Sequence, residues 1–303
     1  MAGFWGWLER KAPGLHRFLT RNDRPWPIVR EAAALVLLVL ILVAALWGGT
    51  GQRFGERPVV VVESGSMMHC ENGYQALPRQ CQGDRYGRFG TIDPGDLIFV
   101  RDVDGRGAID TAAEGGRERY GAAGDVIVFR PNGEAKRTPI IHRALFWLEI
   151  HPATSGTPKQ YSVPELGLHR VDVTELTRNE RVQQLSGHSS FQFIQDACEV
   201  SGFVTRGDNN PQMDQAGGQL GCPIRSHWIL GKARGEVPWI GLVNLKFNDM
   251  LAKPATNNYA NAPSDVKAMM WATILLVVGG PIVLDAAARR RGDDEAEPAG
   301  DKA

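Results

Sequence analysis

Three residue types able to support nucleophilic hydrolysis follow one another along the chain. Val59-Val60-Val61-Val62-Glu63-Ser64-Gly65-Ser66-Met67 sets a Ser-Gly-Ser turn behind four β-branched residues. The valines read as a buried strand, and Gly65 lets the backbone turn sharply and present a hydroxyl. Ile140-Ile141-His142-Arg143 puts an imidazole on a predicted strand, on the face opposite Ile141. Thr205-Arg206-Gly207-Asp208-Asn209-Asn210, followed by Asp214, supplies carboxylates. Acyl transfer by a serine needs a nucleophile, a base, a group that orients the base and donors for the oxyanion. Each stretch alone has a plainer reading: a turn, a structural histidine, an Asx-rich loop bonding its own backbone. Lys136 is the rival base, but in a polar turn solvation keeps its ammonium protonated, whereas an imidazole with an ordinary pKa near 6.5 suits neutral pH.

The elements expected to position these residues are short strands punctuated by Gly, Pro and Asp. Gly95-Asp96 precedes a strand at Leu97 to Val100, and Gly124-Asp125 precedes one at Val126 to Phe129. The near-repeat predicts neighbouring strands of one antiparallel sheet. Further strands are expected at Pro139 to Ile150, Phe191 to Ile194, Gly202 to Thr205 and His227 to Gly235, and with no amphipathic helices between them the domain reads as all-β. Met68 to Gly90, Asp102 to Gly124 and Pro152 to Gly187 read as insertions in the form of loops.

Of the 303 residues, the apolar ones cluster at the ends. Ala32 to Gly49 carries no charge and just reaches the roughly 20 residues that cross a bilayer core. A cleaved signal peptide competes with this reading, but the long preceding segment favours a retained anchor. Ala268 to Leu284 is a second candidate span, with an interfacial or buried helix as the alternative. Basic residues precede the first span (Arg10, Lys11, Arg17, Arg21, Arg24, Arg30) and follow the second (Arg289, Arg290, Arg291), so the positive-inside rule places both ends in the cytoplasm. The expected layout is a cytoplasmic or interfacial segment over 1–31, a span over 32–49, an extracytoplasmic β domain over 50–263, a second span over 264–285 and a cytoplasmic tail over 286–303. In that oxidising location the four cysteines are expected to pair locally, Cys70 with Cys81 and Cys198 with Cys222. No closely spaced Cys/His set predicts a metal site, and a formal net charge of +0 gives no support for a nucleic-acid partner.

In this order and these settings the blocks between Val59 and Gly235 resemble the signal peptidases of the archaeal and endoplasmic-reticulum type, membrane serine proteases that remove signal peptides from exported preproteins. The resemblance implies a mainly antiparallel β fold, a cleft at the outer membrane surface, preproteins and membrane lipid as partners, and no cofactor. It assigns Ser66, immediately before Met67, as nucleophile and His142 as the base that replaces the lysine of ordinary bacterial members. Asp214 would orient His142, Ser64 would help bind the oxyanion beside the Ser66 backbone N–H, and Asp208 would shape the site or assist electrostatically. Small side chains are implied at the first and third positions before the cut. The chain departs from the family with Met68-His69-Cys70, where many members continue with Glu-Pro or a similar pair, and with Arg206 in place of Lys. A specialised or self-cleaving protease on this fold, and a membrane-anchored binding module, are the alternatives.

Overall fold

The computed structural model describes residues 7, 9–20, 26–53, 56–70, 85, 87–192, 194, 198–217, 220–251, 258–280 and 283. The chain forms two compact units, Met1–Pro58 and Val59–Ala303.

The first unit contains helices α1 (Pro13–Thr20) and α2 (Trp26–Thr50). Helix α2 begins six residues before the expected span. Within it, Ile28–Thr50 is, among the described residues, the one helix long and apolar enough to cross a membrane. Its 23 residues extend about 35 Å, enough for a hydrocarbon core of about 30 Å. Leu35, Leu37, Leu40 and Ile41 are all more than half exposed. Gly51, at φ 70°, ends it in the left-handed conformation.

The second unit is built on an eight-stranded antiparallel sheet in the order β1-β2-β10-β5-β6-β7-β8, with β9 also pairing β6. The strands are β1 (Val59–Val61), β2 (Leu97–Arg101), β5 (Val126–Phe129), β6 (Ile140–His151), β7 (Gln160–Val163), β8 (Leu168–Val171), β9 (Gly202–Arg206) and β10 (Ile229–Val237); β3 (Glu118–Arg119) and β4 (Ala122–Ala123) form a separate hairpin. The twelve-residue β6 is the spine: it pairs with β5 through Ile140 to Arg143, with β9 through Arg143 to Leu148 and with β7 through Glu149 to His151. A flat sheet would hold β1 about 19 Å from β6, four strand spacings away. Yet Val61 and Val62 line the same cleft as Ile140, Ile141 and His142. The sheet therefore coils round, and the loop after β1 meets the start of β6.

The two Gly-Asp strands are not neighbours, contrary to the expectation from their near-repeat. β10 lies between β2 and β5 and pairs with both. Similar sequence recorded a similar environment, a buried strand on one edge of β10, rather than mutual contact. Nor is there a strand at Phe191 to Ile194, where the described residues Gln192 and Ile194 are helical. Phe191 and Ile194 are buried for another reason: they pack with Phe146, Leu148, Tyr161 and Val204 in the largest core.

The segment from Pro152 to Gly187 is not a loop insertion but a packed extension of the sheet. It supplies β7, β8 and helices α3 (Val173–Arg178) and α4 (Glu180–Ser186). Asp172 and Asn179 cap these helices by accepting from Glu175 N and Val182 N at 2.8 and 3.0 Å. Leu176 and Val182, fully buried, dock them on the core. Helices of six and seven residues are too short for a periodic apolar stripe to emerge from a polar background.

Helices α5 (Leu242–Leu251), α6 (Asn258–Asn261) and α7 (Ser264–Ile274) follow β10. The expected second span over 264–285 is not shown. α7 buries Val266 and Met270 against Leu242, Leu245 and Ala262, and Asp265 pairs with Arg88 at 2.8 Å. Beyond the helical turn Leu275–Gly279 most of the remaining chain, including the tail over 286–303, lies outside the described residues. Cys198 and Cys222 form the expected disulfide. The pairing expected between Cys70 and Cys81 involves a residue outside those described, as does most of Met68 to Gly90.

Candidate active site

The nucleophile loop is fixed from below. Ser66 is followed by Met67, fully buried among Val62, Ile92, Ile98, Val126 and Ala233, and by Met68, also buried. Truncating a methionine in such a setting costs about 2–5 kcal/mol, so Met67 is an anchor that sets where the neighbouring hydroxyl can lie. The turn closes with Met68 N donating to Gly65 O at 3.2 Å. From across the site Asn209 grips the same turn twice: its backbone N–H donates to Ser66 O at 2.7 Å and its side-chain Nδ2 to Gly65 O at 3.0 Å.

His142 reaches the serine from the third residue of β6, paired opposite Ile127. Its Nε2 is 2.8 Å from Ser66 Oγ, and its Nδ1 is 2.6 Å from Asp214 Oδ2. A carboxylate only accepts, so Nδ1 carries the proton and Nε2 is left to accept from the Ser66 hydroxyl. Asp214 is steadied in turn by Thr205, whose hydroxyl donates to the same Oδ2 at 2.7 Å. Thr205 is fully buried on β9, next to β6, so strand pairing itself delivers this support. Ser64 Oγ lies 3.2 Å from Ser66 Oγ, an exposed hydroxyl beside the reacting one.

The loop after β9 is tightly constrained by its glycine. A Cβ added at Gly207 would lie 2.6 Å from Ser66 O and 2.9 Å from His142 Nε2. No side chain fits without pushing apart the two groups that must stay together. Among the described residues no hydrogen bond joins Asp208 to His142. Its carboxylate accepts from Arg143 Nε at 2.8 Å, from Arg143 Nη2 and from His69 Nε2 at 3.0 Å. Burial alone would raise this carboxyl, but the hydrogen bonds and charges of Arg143 and His69 outweigh it and hold Asp208 below the usual carboxylate range. Arg143, itself buried, spends its remaining donors on the carbonyls of Arg119, Tyr120, Ala122 and Gly124, which ties the β3–β4 hairpin to the same centre.

Ser64, Ser66, His142 and Asp214 all line an open cleft of about 900 Å³, walled also by Val61, Pro139, Ile141 and Met213. Lys136 lines it too, but is exposed, and among the described residues no hydrogen bond joins it to Ser66. All five residues singled out by sequence are thus brought together, four at the cleft and Asp208 behind it. Thr205 and Asn209 were missed although both sit in the stretch that carries Asp208; a buried threonine on a strand and an asparagine in a turn have no distinguishing pattern. Among the described residues no cluster of His, Cys, Asp and Glu could hold a metal ion. The arrangement can move a proton from Ser66 to His142 while Asp214 stabilises the imidazolium, which is the requirement for serine attack on an acyl carbon.

No family model matches the chain. Among curated proteins the chain is similar to the signal peptidase complex catalytic subunit SEC11 of Schizophyllum commune, 28% identical over 207 residues, which cover 67% of this chain and 72% of that protein. That likeness agrees with the Ser, His and Asp order and with a mainly antiparallel β fold: the chain is similar to signal peptidases of the endoplasmic-reticulum type.

Proposed function

We propose that the protein is a membrane-anchored serine endopeptidase that removes signal peptides from exported preproteins. The observation that carries this reading is the continuous relay from Ser66 Oγ through His142 to Asp214, at 2.8 and 2.6 Å, in an open cleft. Ser66 attacks the scissile carbonyl, and His142 takes its proton and gives it to the leaving amine; water, deprotonated by His142, then hydrolyses the Ser66 ester and His142 returns the proton to Ser66, while Asp214 holds the imidazole tautomer. The Ser66 backbone N–H and the Ser64 hydroxyl stabilise the oxyanion. Asp208 acts behind the site, by joining its segments. No cofactor enters this chemistry.

Helix α2 is a retained anchor with the basic amino terminus in the cytoplasm, and the second unit faces the exterior of the cytoplasmic membrane. The Cys198–Cys222 disulfide is consistent with that oxidising side. A second span over 264–285 would return the carboxy-terminal end to the cytoplasm. An anchored enzyme meets preproteins whose apolar signal segment shares its bilayer, which raises their effective concentration. The test is cleavage of a purified preprotein in liposomes, with the cut located by mass spectrometry. A single cut after a small residue supports the reading, and no cut across several preproteins by a folded, inserted protein refutes it.

A further inference from the structure

His69 lies three residues beyond Ser66. Its Nε2 is 3.0 Å from Asp208 Oδ2, and both side chains are only 11% exposed. The same carboxylate takes two donors from Arg143, the residue next to His142, and Asp208 immediately precedes Asn209, which grips Gly65 and Ser66. One carboxylate therefore connects the nucleophile loop, the strand carrying the base and the loop beneath both. Asn209 and Met67 fasten the turn itself, over Gly65 to Met67. His69 fastens the chain where it leaves that turn, before Cys70.

We infer that His69 is a positioning residue for Ser66: by donating its Nε2–H to Asp208 it locks the outgoing end of the nucleophile loop to the segment that carries His142. The inference rests on the proposed mechanism. The physical stake is geometric, since a displacement of about 1 Å between nucleophile and base costs on the order of 100-fold in rate.

The test compares full-length wild type, His69→Leu and His69→Gln in nanodiscs. Leucine fills the space without a donor, and glutamine keeps an N–H. Preprotein cleavage is followed as kcat and KM, and backbone amide exchange is measured over residues 64–70. His69→Leu is expected to lower kcat about 10-fold with KM changed less than about 2-fold, and to speed exchange over 64–70, while His69→Gln restores both. Equal kcat in wild type and His69→Leu, equal impairment in both variants, or unchanged exchange over 64–70 would overturn the inference. Should wild type itself cleave nothing, the proposed function fails separately, and the exchange comparison alone upholds or overturns the tie.

Discussion

Thr205 Oγ1 donates to the Asp214 oxygen that also faces His142 Nδ1, at 2.7 Å against 2.6 Å. The carboxylate is thus held by β9 while it holds the imidazole on β6, and the two strands are paired neighbours. Replacing Thr205 with Val keeps the shape and removes the hydroxyl. Asp214 then loses one of its two donors among the described residues, and kcat for preprotein cleavage is expected to fall about 10-fold, with Thr205→Ser retaining most activity. Equal loss in Thr205→Ser and Thr205→Val would show that packing of the methyl group, not the hydroxyl, matters.

Gly207→Ala tests the tightness of the site. A Cβ 2.6 Å from Ser66 O has no room, and the obstacle is backbone rather than a flexible side-chain tip. The turn must move away from His142, and kcat is expected to drop at least about 100-fold. A crystal structure of the variant should show Ser66 Oγ beyond hydrogen-bond reach of His142. Near-normal cleavage would mean that the loop yields far more easily than its bonds to Asn209 suggest.

Acid sensitivity should follow from Asp208. Its folded pKa is depressed, so its contribution to stability is fully present above the ordinary carboxylate pKa, about 3.9, and is lost as pH falls through the folded value. Thermal unfolding followed from pH 6 down to pH 2 should show wild type losing its advantage over Asp208→Asn as the pH drops. A difference in melting temperature that stays constant over that range would contradict the tie to Arg143 and His69.

Lys136 offers a clean control for the identity of the base. It lines the cleft but is exposed and not bonded to Ser66. Lys136→Ala is expected to cleave within about 3-fold of wild type, whereas His142→Ala leaves only the residual rate that binding and oxyanion stabilisation provide. The reverse pattern would transfer the role of base to the lysine.

Much of this site could be read from residue order because its parts are local. Ser64-Gly65-Ser66, His142 and the Asp208 to Asp214 loop each lie at a strand end, where a turn residue and an apolar run announce themselves. What could not be read was closure: that the loop after β1 meets β6 depends on the coiling of a sheet in which they stand four strands apart. The near-repeat around Asp96 and Asp125 misled for the same reason, since local pattern identifies a buried strand but not its neighbour. The polar run from Pro152 to Gly187 hid two capped helices and two strands because each short element buries too few apolar residues to form a pattern: Tyr161 and Val163 on β7, Val171 on β8, Val173 and Leu176 on α3, and Val182 on α4. The network of His69, Arg143 and Asp208 joins residues 65 and 139 positions apart, beyond any local signal.

The most direct test of the account is the set of single and double variants of Ser66→Ala, His142→Ala and Asp214→Ala, each assayed for preprotein cleavage alongside a melting curve. Groups that act as one relay are not additive. The account predicts that each folded single variant loses nearly all cleavage and that Ser66→Ala combined with His142→Ala is no worse than Ser66→Ala alone. Full cleavage by Ser66→Ala, or losses that simply multiply in the double variant, would contradict the central claim that Ser66 attacks through His142.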